Sequence, residues 1–274
     1  MDTIKGKSVL ITGAGRGIGK RLALGFAALG AQVGLLARSK AELELAKLEI
    51  EQVGGIAMCL PADVRDPDAV AVSVDRLRAR FGRLNVLISA AAVQGPVGPF
   101  VTTKAKAWNE TIEINLIGVA NCCRVVLPGM IEKRSGKIIL ISGGGAAVSR
   151  PNFTAYAASK TAVVRFAETL AEEVGNHNVQ VNAMAPGAAY SHMTDEILHA
   201  GEERAGRREI EDAEKVRVTG GVPAEKQTAL ALFLASERSN HISGKFIHVN
   251  DDWKKWENEN MKSELLTLRR LQKI

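Results

Sequence analysis

The stretch that most limits what this chain can fold into is Thr12-Gly13-Ala14-Gly15-Arg16-Gly17-Ile18-Gly19. It lies between a short apolar, β-rich run, Ser8–Thr12, and a helical pattern over residues 17–30. Glycines let the chain turn tightly and bring bare backbone close to a ligand, and a helix that starts there favours negative charge. A glycine cluster by itself is only a flexible turn. Placed between a strand and a helix, it points to a pyrophosphate and hence to a dinucleotide.

The same alternation continues along the chain. Strands are expected over residues 31–37, 56–60, 84–89, 137–142, 179–183 and 245–249. Helices are expected over residues 40–53, 66–81, 108–132, 154–174 and 223–235, with Asp66-Pro67 and Pro223 as starting signals. Strands that alternate with helices predict an α/β fold, a doubly wound parallel sheet in three layers of Rossmann type. Right-handed crossovers place the strand-to-helix loops at one sheet edge, where ligands bind. One domain is expected over residues 1–253, followed by a charged helical extension over 254–274.

Composition narrows the function classes. Of the 274 residues, 46% are hydrophobic and 24% charged, enough apolar material for a core and ordinary for a water-facing surface. Charged or turn residues interrupt every apolar run, so no membrane association is expected, and the amino end lacks a signal peptide's long apolar centre. Cys59, Cys122 and Cys123 are odd in number and lack metal-ligand spacing, which fits a reducing, cytoplasmic setting. The net charge of +6 raises nucleic acid as a partner, but the basic residues are scattered among acidic ones and aromatics are 4%. A solvated basic surface is the better account, with no nucleic-acid partner expected.

With Thr12, Gly13, Gly17 and Gly19 in a Thr-Gly-x-x-x-Gly-x-Gly pattern, the chain resembles a classical short-chain dehydrogenase/reductase over residues 5 to about 253. The resemblance implies a seven-stranded sheet in the order 3-2-1-4-5-6-7 and assembly as a homodimer or homotetramer. It also implies cofactor contacts from Gly13, Arg16, Gly17, Ile18 and Gly19 in the turn, and from Asp63-Val64 as an adenine-pocket pair. Pro186-Gly187 and Ser191 match the segment that holds the nicotinamide. The family's usual Asn-Asn-Ala-Gly reads here Ser89-Ala90-Ala91-Ala92, which leaves Ala91 as a backbone-level neighbour. An acidic residue after the second strand would favour NAD(H). Arg38 stands there instead, and with Arg16 it favours NADP(H), through arginine's fit to a 2′-phosphate.

Tyr156-Ala157-Ala158-Ser159-Lys160 sets a phenol and an ammonium four residues apart, on one helix face. A free phenol has a pKa near ~10. A neighbouring cation lowers that value, so Tyr156 is expected to exchange a proton with a carbonyl or alcohol oxygen as hydride moves. Asn115 matches the family asparagine that supports the lysine through water. The family's catalytic serine is missing: its position is Gly143, and Ser142 lies one residue early. Adjacent side chains on a strand face opposite ways, so Ser142 is expected to point away. Three readings stay open: a substrate hydroxyl or water fills in, another side chain such as Ser149, Asn152 or Thr154 does so, or catalysis has decayed.

The expected activity is therefore an NADP(H)-dependent interconversion of a small-molecule carbonyl and its alcohol. A catalytically impaired NADP(H)-binding protein or regulatory subunit is the alternative. The arginine-bearing stretch from His192 to Arg217, a helical lid over the substrate in the family and otherwise a solvated mobile loop, together with Arg150, raises a sugar-like or anionic substrate. The tail's Trp253, Trp256, Leu265, Leu266 and Leu268 suit either a neighbouring subunit or the chain's own domain.

Overall fold

The computed structural model describes residues 4–257 and 265–268. Its strands are β1 (Ser8–Thr12), β2 (Gln32–Ala37), β3 (Ile56–Pro61), β4 (Leu84–Ser89), β5 (Gly136–Ile141), β6 (Val179–Ala185) and β7 (Phe246–His248). They form one parallel sheet in the order β3-β2-β1-β4-β5-β6-β7, as the family resemblance implies. The helices are α1 (Gly17–Ala28), α2 (Lys40–Gln52), α3 (Pro67–Phe81), α4 (Ala105–Ile112), α5 (Gly118–Glu132), α6 (Thr154–Val174), α7 (His192–Ala205), α8 (Arg207–Thr219) and α9 (Ala224–Ala235).

Period-two alternation sorts the core into two layers. Val9 and Ile11 of β1 face one side, where Phe26 of α1, Leu43 of α2 and Phe233 of α9 cover them. Leu10 faces the other, among Leu77 of α3, Val126 of α5 and Val163 of α6. Burial on both faces is why the strands read as unbroken apolar runs and not as alternating ones. The chain reverses direction of travel across the sheet between β1 and β4, which opens a crevice at their carboxyl ends. There the Thr12 hydroxyl accepts hydrogen bonds from the Ala90 and Ala91 amides, both at 3.0 Å, and ties the two strand ends together.

Three expectations change. The helix read as 108–132 starts earlier, and a π turn, Glu113–Ile117, joins α4 to α5. The continuous stretch Ala105–Glu132 is long and apolar enough, by length and composition alone, to cross a membrane, contrary to the expectation that no such run exists. Half of its most apolar 18-residue window is buried, and Cys122, Cys123, Val126 and Met130 pack into the second core layer. The polar stretch after β6 forms two helices, α7 and α8, as the helical lid implied by the resemblance has it and not as a solvated loop, with non-helical backbone at Gly201.

The tail begins as a short 3-10 turn, Trp253–Glu257, and not as an α-helix. Trp253 stacks on Phe233 with ring centroids 5.1 Å apart, and Trp256 is buried with it, so these two rings pack on the chain's own domain. The Leu266 carbonyl accepts the Phe246 amide at 2.7 Å, beside β7. The rest of the expected helical extension, residues 258–264 and 269–274, lies outside the described residues.

Candidate active site

One cavity of about 1230 Å³ runs along the carboxyl edge of the sheet. That exceeds the usual volume for a single small ligand, roughly 300–1,000 Å³. Gly13, Arg16, Gly17, Ile18, Gly19, Arg38, Asp63, Val64, Ala91, Tyr156, Lys160, Pro186, Gly187 and Ser191 all line it. Asn115 stands behind the wall, fully buried.

At one end the glycine turn approaches its surroundings too closely for side chains. Gly13 has φ +66°, and a Cβ there would sit 2.8 Å from the Ala91 Cα. A Cβ on Gly19 would sit 2.3 Å from the Gly13 carbonyl oxygen. Arg16 precedes α1 without capping it, so the amides of the first turn face the cavity with no side-chain acceptor. Such a cradle fits the pyrophosphate of a dinucleotide, and the cavity's length fits the rest of one. Arg38 follows β2 and is exposed on the cavity wall. Arg16 reaches across to Glu42 at 3.6 Å. Ser39 caps α2, accepting the Glu42 amide at 3.2 Å, which fixes the turn that carries Arg38. Asp63 is held by Arg65, whose Nη2 donates at 2.7 Å and Nε at 3.1 Å. Those bonds keep the Asp63 carboxyl below its ordinary pKa.

At the other end Tyr156 and Lys160 share a face of α6, with Nζ 5.6 Å from the ring centroid. The Lys160 ammonium donates to the Ile141 carbonyl at 2.9 Å, and its burial lowers its pKa to about 8. Burial pushes the Tyr156 phenol above its ordinary value. The opposing pull comes from Arg150, whose guanidinium lies 5.3 Å over the Tyr156 ring. Arg150 also sits 4.1 Å over Phe153 and makes a two-pronged ion pair with Glu209 of α8, at 2.7 and 2.9 Å. Sequence reading missed this link between lid and catalytic loop, which spans 59 residues.

Asn115 sits in the π turn, where its side chain takes the Val93 amide at 2.9 Å and gives to the Val93 carbonyl at 3.0 Å. The same amide group donates to the Ser159 hydroxyl at 3.1 Å, and Ser159 donates to the Tyr156 carbonyl at 2.7 Å. The loop after β4 is thereby bound to the helix that carries the phenol.

Ser142 does point away. Its hydroxyl donates to the Lys160 carbonyl at 3.0 Å. A Cβ on Gly143 would lie 3.3 Å from the Tyr156 hydroxyl, so position 143 is beside the phenol. Of the three stand-ins, Thr154 is turned to the Trp108 indole, whose N–H it accepts at 3.2 Å. Ser149 and Asn152 line the cavity. Among the described residues no cluster of three or more His, Cys, Asp or Glu is arranged to hold a metal ion.

Comparison with known proteins agrees with this geometry. The short chain dehydrogenase family model matches residues 7–201. The chain is 34% identical over 251 residues to the 3-oxoacyl-[acyl-carrier-protein] reductase FabG of Staphylococcus aureus, covering 89% of this chain and 96% of that protein. The structure of levodione reductase superposes with a TM-score of 0.82 at 28% identity, covering 91% of this chain and 98% of the other. A gluconate 5-dehydrogenase from Burkholderia cenocepacia, in complex with NADP and tartrate, gives a TM-score of 0.79 at 26% identity over 90% of this chain and 94% of that one. A parallel seven-stranded sheet, a glycine-lined crevice at its switch point, a Tyr-x-x-x-Lys helix on the crevice wall and a family match over residues 7–201 lead to one assignment: this chain belongs to the short-chain dehydrogenase family of oxidoreductases.

Proposed function

We propose that this protein is an NADP(H)-dependent carbonyl reductase, run in reverse as an alcohol dehydrogenase, acting on a small neutral oxygenated substrate. The observation that carries the reading is the joint placement of Tyr156 and Lys160 at one end of the cavity and of Arg16 and Arg38 at the other. The exposed Arg38 guanidinium after β2, with no acidic side chain at position 38, suits a 2′-phosphate better than a free ribose hydroxyl, and Arg16 joins it once its 3.6 Å pair with Glu42 opens. A cofactor held by the glycine turn, Arg38 and Pro186-Gly187 would supply hydride chemistry at the carbonyl carbon. Tyr156 Oη gives its proton to the carbonyl oxygen, so the product is an alcohol. Lys160, anchored on the Ile141 carbonyl, keeps an ammonium next to the ring that must carry the resulting negative charge. Asn115 and Ser159 keep the loop after β4 in register with that helix.

Arg150 is already paired by Glu209, which favours a neutral polyhydroxylated molecule over an anionic one. We further place the protein in the cytoplasm as a homodimer or homotetramer, with residues 1–253 as one cofactor-binding domain and 254–274 as an extension. Gly143 supports a second reading, a cofactor-binding protein of low activity, because the position beside the Tyr156 hydroxyl carries no side chain to donate a hydrogen bond. A panel of ketones and keto-sugars, assayed with NADPH and NADH, separates the two. NADPH consumption with at least one carbonyl class supports the reductase; tight NADPH binding without turnover across the panel supports the second reading.

A further inference from the structure

Arg150 stands on the loop that precedes α6, and its guanidinium lies 5.3 Å from the Tyr156 ring centroid, as near as the Lys160 ammonium at 5.6 Å. The two cations are held differently. Lys160 is anchored on the Ile141 carbonyl, whereas Arg150 donates to Glu209 through Nε at 2.9 Å and Nη2 at 2.7 Å and rests on the Phe153 ring at 4.1 Å. The Arg150 and Glu209 side chains are only 18% and 22% exposed, so water screens them less than it does a surface pair. Phe153 is buried with Ile197 and Ala205 of α7 and Ala213 of α8, and the Arg204 guanidinium donates to the Val97 carbonyl at 2.7 Å. The lid therefore packs on the loop, and α8 offers Glu209 from its first turn, the end at which a helix favours a carboxylate.

Lys160 is the charge on the phenol's own helix that lines the cavity. Residues 90–103, on the loop after β4, carry no charge. His192 and Glu196 of α7 pair with each other at 3.5 Å, and Arg207, Arg208 and Asp212 of α8 line the cavity together with Glu209. A cation over a neutral phenol gains a modest attraction to the ring face. Once the proton has left, the same cation meets a full negative charge, and the attraction grows. Arg150 thus favours the state that proton transfer creates, against the burial that opposes it.

We propose that Arg150, held by Glu209, is a positioning residue for the proton step: it stabilises the negative charge left on Tyr156 Oη when the proton moves to the substrate oxygen. The lid helix α8 then takes part in that step through the cation it holds over the ring. The proposal deepens the reductase reading and rests on it for the direction in which the proton moves.

Tyr156 and Tyr190 are the chain's two tyrosines, so in a Tyr190→Phe background the tyrosinate absorption band reports Tyr156 alone. The band is titrated with NADP+ present, with circular dichroism at each pH as the folding control. Arg150→Met is expected to move the midpoint up by about one pH unit. Arg150→Lys, which keeps the charge, should restore most of the difference. Arg150→Met with Glu209→Gln leaves no orphaned carboxylate; it should also titrate above the parent protein, and it stands in if the single variant does not fold. A merely structural tie between loop and lid predicts the reverse, because breaking it lets water reach the phenol and lowers the midpoint. An Arg150→Met midpoint at or below the parent's, equal midpoints for the methionine and lysine variants, or no tyrosinate in the parent before the fold is lost would overturn the proposal. Turnover is read separately, as NADP+ reduction with a panel of alcohols. The expected shifts without turnover would uphold the role of Arg150 and refute the reductase reading. Turnover without the shifts would uphold that reading and overturn the proposal.

Discussion

Replacing Gly143 by serine tests the reading of the catalytic wall more sharply than any deletion. The backbone there has φ −173° and ψ 176°, an extended conformation open to any residue, so the substitution brings no backbone strain. The new Cβ would stand 3.3 Å from the Tyr156 hydroxyl and 3.9 Å from the ring Cε1, close enough that the phenol shifts by a few tenths of an ångström. A hydroxyl on that carbon reaches both the phenol and any carbonyl oxygen bonded to it. One donor to a developing oxyanion is worth about 10²–10³ in rate, or about 2.7–4 kcal/mol. Gly143→Ser should therefore raise kcat on a plain ketone such as cyclohexanone towards that range. Gly143→Ala, which adds the same Cβ without the hydroxyl, should leave it level or lower. The assay is steady-state NADPH oxidation at saturating cofactor, with melting temperatures recorded as a folding control. Equal rates for the serine and alanine variants would refute the reasoning, since the missing donor would then cost nothing.

Other outcomes follow from the same structure. Arg38→Asp should remove the 2′-phosphate partner and invert coenzyme choice, with kcat/KM for NADPH falling by at least about tenfold, worth about 1.4 kcal/mol. Gly19→Ala should abolish cofactor binding in titration calorimetry, because its Cβ would lie 2.3 Å from the Gly13 carbonyl oxygen. Lys160 has its pKa lowered by burial from 10.5 to about 8, so the unfolded chain binds the extra proton between those values. Stability without cofactor should then be lowest and level for this group below pH 8. It should rise between pH 8 and 10.5 by about 3 kcal/mol, with Lys160→Met lacking that rise in urea titrations.

The cofactor half of the site was legible because local chemistry writes it. Glycine at positions 13, 17 and 19 answers to a turn that spans few residues, and Ser8–Thr12 and Thr154–Val174 follow from local apolar patterning. The direction of Ser142 was legible for the same reason, since period two is a local rule. What the sequence hid depends on residues far apart. Arg150 looks like a free cation until Glu209 arrives from a helix 59 residues away. Thr12 takes two amides from the end of β4, a contact that no spacing rule encodes. The rise in the Tyr156 pKa is a property of burial, which only the packed cavity reveals.

Single-turnover hydride transfer from NADPH to a reactive ketone, compared between wild type and Tyr156→Phe, addresses the central claim most directly. If Tyr156 gives the proton, the variant should bind NADPH as the wild type does and transfer hydride slower by about 10²–10⁴-fold. Equal transfer rates in the two proteins, or no transfer in the wild type despite bound NADPH, would contradict the account.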